Sequence, residues 1–267
     1  MVRRPAVAGQ FYPSHPKRLQ EAVDSLLEPN APKQHALGIL CPHAGYPYSG
    51  PTAGKVFSHV TIPERMILLG VNHHGIGSPF AMYPRGQWQT PLGEVTIDEP
   101  LAAHLLAACP HLEDDPAAHE PEHSLEVELP FIQRLRSEAQ IVPILFGSHN
   151  LTKLRTIGNA IAEVIRSDGR PILLLASSDM NHYESQEVAM RKDQMAIDAM
   201  LALDADKLMQ VCEEEEITMC GVAPACAMLF ALKALDATRA ELIDHRTSGD
   251  VTGDTASVVG YAGLMFC

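Results

Sequence analysis

Short, continuously apolar runs recur along this chain: HALGILC (35–41), RMILLGV (65–71), AQIVPILFG (139–147), RPILLLASS (170–178), AELIDH (240–245) and SVVGYAGLMF (257–266). Helix-period segments separate them, at about 50–59, 98–108, 123–136, 151–167, 185–201, 204–214 and 221–235. A strand that is apolar along both faces must be covered on both, and an amphipathic helix covers one. The alternation therefore predicts one α/β domain over residues 1–267, a central mostly parallel or mixed sheet with helices on both faces. RGQWQTPLGEVTID (85–98) interrupts the rhythm and reads as an extended excursion or hairpin. No linker, repeat or low-complexity tract marks a second domain.

Composition narrows the partners. With 267 residues, 46% of them hydrophobic, the chain can bury one large core. A net charge of −13 and a pI near 5.4 argue against nucleic acid or an anionic membrane surface. No apolar run approaches the ~20 residues of a membrane span. The opening MVRRPAVAGQFYP has two arginines but no apolar stretch behind them, so no signal peptide is expected. Six cysteines (41, 109, 212, 220, 226, 267) are scattered without a C-x-x-C pair, the pattern of reduced thiols in a soluble cytoplasmic protein.

In open α/β sheets, ligands bind beyond the carboxyl ends of the strands. His43 follows the first apolar run by two residues, in ILCPHAGYPYSG. LLGVNHHG sets His73 and His74 just past the next run, and LLLASSDMNHYES sets Asp179 and His182 past another. Three strand ends thus deliver imidazoles to one edge of the sheet. Imidazole nitrogens with a carboxylate nearby are what a transition-metal site needs.

HEPEH (119–123) matches the H-E-x-x-H zinc-protease pattern, which works only within a helix. Pro121 stands in its middle, so His119 to Glu122 reads as a loop and the match as coincidence. His123 opens the following helical segment, where it can face the site as a substrate-side or supporting group. In ITMCGVAPAC, Cys220 precedes a helical run whose N-terminus would favour a thiolate; the plainer reading is a core thiol. No G-x-S-x-G elbow, Walker loop or G-x-G-x-x-G turn is present.

AGQFYP, PHAGYPYSG, NHH, EHSLEVELPF, SSDMNHY, CG and the terminal VVGYAG together resemble the MEMO family, also known as AmmeMemoRadiSam system protein B, over essentially the whole chain. That family is similar in fold to the class III extradiol ring-cleavage dioxygenases, whose non-haem iron is held by two histidines and a glutamate. The resemblance implies His43, His73 and Cys220 as metal ligands, His182 as an acid/base group, and His123 and Asp179 as polar residues lining the same cleft. It implies Fe(II), with copper or zinc as alternatives, and a functional link to a radical-SAM protein. A thiolate in place of the glutamate means that two-histidine, one-carboxylate chemistry does not transfer unchanged. Some eukaryotic members are proposed to bind phosphotyrosine peptides through a tryptophan near the N-terminus. Phe11 stands there in this acidic chain, and that function is set aside.

Two functions follow. One is an enzyme that uses O2 on a small-molecule substrate at an iron(II) centre. The other is a protein that stores, delivers or redox-buffers iron or copper without turnover. A fourth imidazole, His182, beside a three-ligand site favours the first.

Overall fold

Strand-forming apolar runs and amphipathic helices alternate through residues 1–267, all of which the computed structural model describes. In chain order come strand β1 (Val2–Arg3), helix α1 (Pro16–Leu26), β2 (Gly38–Cys41), α2 (Tyr46–His59), β3 (Arg65–Val71) and β4 (Phe80–Met82). Next are β5 (Gln87–Thr90), β6 (Gly93–Ile97), α3 (Glu99–Ala108), β7 (Glu113–Asp114), α4 (Leu129–Leu135), β8 (Gln140–Phe146) and α5 (Leu151–Asp168). The chain ends with β9 (Ile172–Ser177), β10 (His182–Glu184), α6 (Gln186–Leu201), α7 (Ala205–Glu214), α8 (Val222–Ala234), β11 (Ala240–Thr247), α9 (Gly249–Thr252) and β12 (Val258–Phe266).

The sheet runs β1-β5-β6-β8-β3-β9-β2-β12-β10, with β11 added on β12 and β4 on β8. Its centre, β6-β8-β3-β9-β2, is parallel, while β12 runs antiparallel to β2 and the β5–β6 hairpin falls in the expected excursion. Successive residues of each central strand point to opposite faces. Leu40, Ile67, Leu69, Ile144 and Leu174 join the core under α3 and α5 to α8. Ile39, Met66, Leu68, Leu145 and Leu175 join the core under α1, α2 and α4. The link β2-α2-β3 crosses the sheet one way and β8-α5-β9 the other. Right-handed crossovers in opposite directions put α2 and α5 on opposite faces and make the carboxyl ends of β2, β9 and β3 a topological switch point.

Two expectations needed adjustment. The helix expected over 123–136 is a 3₁₀ turn (Glu126–Glu128) followed by α4. Pro130 has no N–H to continue a helix begun earlier, but it is tolerated in a first turn. Helix α1 was not foreseen. Pro16 at its start and Leu19 and Val23 buried one turn apart carry its signal. No helix is long and apolar enough to cross a membrane.

The N-terminal segment is bound into the fold by one buried ion pair. The Arg3 guanidinium, fully buried, donates to Glu126 Oε2 at 2.7 Å, to the His119 carbonyl at 2.7 Å and to the Glu122 carbonyl at 2.5 Å. It also lies over the Trp88 ring at 4.2 Å. Glu126 accepts in turn from the Ala6 and Val7 backbone N–H groups and from the Tyr12 hydroxyl. Removing one partner leaves an uncompensated buried charge, a loss of ~3–5 kcal/mol. Glu126→Ala is therefore expected to lower the urea midpoint by that stability at an unchanged slope. A loss below ~1 kcal/mol would contradict this role for the pair.

Candidate metal centre

His43, His73 and Ser177 stand at or just beyond the ends of β2, β3 and β9, and a loop over residues 122–125 packs across all three. His43 is 1% exposed. Its Nδ1 lies 2.8 Å from Ser177 Oγ, and that hydroxyl donates to the Ser124 carbonyl at 2.7 Å. With its own proton committed, the hydroxyl accepts from His43 Nδ1–H and leaves a lone pair on Nε2. His73 is fixed the same way. Its Nδ1 lies 2.9 Å from Glu122 Oε1 and its backbone N–H donates to Oε2 at 2.8 Å. A carboxylate only accepts, so Nδ1 carries a proton and Nε2 is the ring nitrogen left to face a metal.

Glu122 accepts two further bonds, from the backbone N–H groups of His123 and Ser124, each 2.9 Å. Burial by itself would raise its pKa. The hydrogen bond from His73 and its neighbours outweighs burial and holds the carboxyl ionised, well below the usual range. The His123 ring stacks on His73 at 4.7 Å and 18°, with Phe11 against it at 4.8 Å. His43, His73 and His123 each place one ring nitrogen within 4.8 Å of the others. Burial, reinforced by the other imidazoles, pushes the His43 pKa well down; burial takes that of His123 to about 4. The His43 and His123 rings are neutral at pH 7.

Cys220 meets this cluster from the far side. Its Sγ lies 3.2 Å from His43 Nε2 and accepts from the Asp179 backbone N–H at 3.3 Å. Gly221 makes the approach possible, because a β-carbon there would sit 2.4 Å from Ser178 and 2.5 Å from the Ser177 carbonyl. The helix N-terminus acts in the expected direction, through the Gly221 N–H, but is outweighed. Burial, with the Asp179 charge, raises the Cys220 pKa and keeps the group a thiol in the absence of a cation.

Asp179 supports the chain beside His43. Its carboxylate does not orient His182: Oδ1 accepts from the backbone N–H groups of His43, at 2.7 Å, and Ala44. Burial takes its pKa up to about 7 against those two bonds. His182, partly buried, is held instead by Thr218, whose hydroxyl accepts the His182 backbone N–H at 2.7 Å and whose carbonyl lies 2.9 Å from the ring Nδ1.

The structure thus brings His43, His73, His123, Asp179 and Cys220 together, with His182 near enough for its charge to act on His43. His74 is exposed and outside the trio. His119 is a core residue among Tyr83 and Trp88, its Nε2 3.1 Å from the Ala81 carbonyl. HEPEH is non-helical, as Pro121 required, yet Glu122 and His123 from it belong to the site. Sequence reasoning passed over Glu122, Ser177 and Thr218. Only the coincidence of a carboxylate beside a strand-end histidine hinted at the first.

The donors fit a transition metal. Three imidazoles and an adjacent thiol are ligands that zinc, copper and iron accept, and a bound cation deprotonates a thiol. Metal–nitrogen bonds of about 2 Å need donors within about 4 Å of one another, so a small closure of the 4.8 Å cluster completes it.

Residues 3–265 match the family described as Memo-like protein. Among similar proteins are the MEMO1 family proteins of Methanopyrus kandleri, 40% identical over 280 aligned residues (100% of this chain, 99% of the relative), and of Aquifex aeolicus, 42% identical over 268 (99% of each). That of Nitrosopumilus maritimus is 38% identical over the full length of both chains. Among solved structures, an uncharacterized protein of Escherichia coli K12 aligns with a TM-score of 0.53 at 11% identity, over 85% of this chain and 98% of that one. That last likeness concerns fold alone.

Two outcomes are expected. Glu122→Gln removes the negative acceptor behind His73 and is expected to weaken zinc or cobalt affinity ~10- to 100-fold, measured by competitive titration. Unchanged affinity would contradict that support. Separately, burial lowers the His119 pKa from 6.5 to about 3. As pH falls through this window the unfolded chain binds a proton that the folded one refuses. Stability drops by up to ~1.4 kcal/mol per pH unit from this residue. His119→Gln should flatten the fall in unfolding free energy between pH 6.5 and 5; an equal slope would contradict the assignment.

Proposed function

The chain belongs to the Memo-like protein family, and from that premise we propose that it is a non-haem iron(II) protein oxidising a small organic substrate with O2. One observation carries the reading. The hydrogen-bond partners of Nδ1 in His43 and His73 leave both Nε2 atoms to face a metal, and that of His43 lies 3.2 Å from the Cys220 thiol. His43, His73 and Cys220 are the proposed ligands, and His123, stacked on His73, is the proposed substrate-side group. The bound metal would supply a redox-active Lewis acid for O2 chemistry.

The chain's own residues supply the rest. Ser177 and Glu122 hold two ligand rings in one tautomer, and Asp179 fixes the backbone that carries His43. His182 takes a proton from a substrate hydroxyl and returns it later. Its lowered pKa, caused first by burial, keeps it neutral and able to accept at pH 7. The reduced Cys220 thiol suits a cytoplasmic setting. A radical-SAM protein is the proposed functional partner, on the family resemblance.

Variants separate this from a metal carrier. His43→Ala and His73→Ala are expected to lose stoichiometric iron with the fold intact. His182→Ala should keep iron and lose turnover ~10²- to 10⁴-fold in oxygen uptake with candidate substrates. Cys220→Ser should abolish the sulfur-to-metal charge-transfer band of the Co(II) protein. Cys226→Ser should keep it, since that thiol is turned to the Ala205 carbonyl. Iron loss in His182→Ala would make His182 a ligand. Iron binding with no substrate-dependent oxygen uptake would support storage or delivery instead.

A further inference from the structure

We propose that Thr218, Asn181 and Asp193 form a positioning relay that holds His182 with its proton on Nδ1 and leaves Nε2 as the proton-accepting nitrogen. The proposal deepens the preceding reading and rests on His182 being the proton-carrying residue of that site. It concerns the direction of transfer: in its neutral state the ring accepts a proton first and donates only afterwards.

The tautomer follows from the partner. The Thr218 carbonyl, 2.9 Å from His182 Nδ1, has no proton to give, so Nδ1 must carry one. The Met180 carbonyl also acts on the ring, but from outside hydrogen-bond geometry. Thr218 is itself aligned by Asn181, whose Oδ1 accepts the Thr218 backbone N–H at 3.0 Å and hydroxyl at 3.1 Å. That commits the hydroxyl proton, so the oxygen's lone pair receives the His182 N–H at 2.7 Å. The Asn181 amide has only one workable orientation. Its oxygen must face the Thr218 donors, and its Nδ2 donates to Glu184 Oε2 at 2.5 Å.

Asn181 is held from behind. Its backbone N–H donates to Asp193 Oδ1 at 2.8 Å, and its carbonyl accepts from the Gly260 N–H at 2.9 Å. Asp193 is fully buried on α6, and its second oxygen lies 2.9 Å from His245 Nε2. β12 comes so close that a β-carbon at Gly260 would sit 1.9 Å from Asp193 Oδ2. The segment so gripped contains Tyr183, a non-glycine residue at φ +61° whose side chain is 79% exposed. The β10–β12 register shifts between His182 and Glu184 at the same place. Such a conformation persists only where surrounding contacts over-determine it. Nothing about the exposed Tyr183 ring requires that grip, whereas fixing the neighbouring imidazole does.

The test is nitrogen–proton multiple-bond NMR on the full-length, metal-free protein labelled with ¹⁵N-histidine, at a pH where His182 is neutral. The His182 signals are identified by their loss in His182→Gln. Wild type is expected to show the Nδ1–H form. Asn181→Ala should shift the ring toward the Nε2–H form that free histidine prefers. Asp193→Asn, which keeps an acceptor for the Asn181 N–H, should retain Nδ1–H. Thr218→Val, which removes the hydroxyl but leaves the fold's apolar contacts, should give a mixture and serves if Asn181→Ala does not fold. An Nε2–H tautomer in wild type would overturn the proposal, as would an unchanged tautomer in folded Asn181→Ala or Thr218→Val. The readout needs neither metal nor substrate. Failure of the acid–base reading would appear as unimpaired turnover in His182→Ala, and failure of the relay as the wrong tautomer.

Discussion

A buried carboxylate with four protein donors, Glu122, is the contact on which the site depends. Taking an ionised carboxyl out of water is expensive, and here the N–H groups of His73, His123 and Ser124 with the His73 ring offset that cost. They also tie the end of β3 to the loop over 122–125. Ser124 carries the connection on: its hydroxyl bridges the Val71 N–H and carbonyl, and its own carbonyl receives Ser177, which receives His43. Three strand ends are joined by one run of hydrogen bonds, with Arg3 holding the Glu122 carbonyl from behind.

That arrangement explains why the imidazoles are donors and not merely neighbours. The parallel strands bring their carboxyl ends to one edge, and the opposed crossovers of α2 and α5 make that edge a topological switch point. Converging histidines would repel one another if charged. Burial and their mutual proximity lower the His43 and His123 pKa values instead. Ser177 and Glu122 hold the His43 and His73 rings in place before any ligand arrives, so little reorganisation opposes binding. The Cys220 thiol reaches His43 because Gly221 lets the start of α8 press against the end of β9.

The sheet was legible in the sequence wherever a run was apolar on both faces. RMILLGV is β3 at the expected residues, and β8, β9 and β12 fall within the expected runs by one or two residues at each end. Strands β4, β7 and β10 were not, because two or three residues paired at an edge carry no period of their own. Strand-end histidines were readable from position alone. Their supports were not: Glu122 acts on His73 across 49 residues of sequence, Ser177 on His43 across 134 and Thr218 on His182 across 36. Pro121 correctly excluded a helical zinc motif, but a loop can present the same carboxylate and imidazole. Asp179 was adjacent to His182 in sequence and yet serves His43, since the chain turns between them.

The proposed site binds one metal through the Nε2 atoms of His43 and His73 with sulfur from Cys220. X-ray absorption at the iron edge of anaerobically purified protein addresses it directly. The account predicts about one iron per chain, with two or more imidazole nitrogens near about 2.1 Å and one sulfur near about 2.3 Å. Stoichiometric iron in an all-oxygen or sulfur-only shell, or protein that takes up no transition metal, would contradict it.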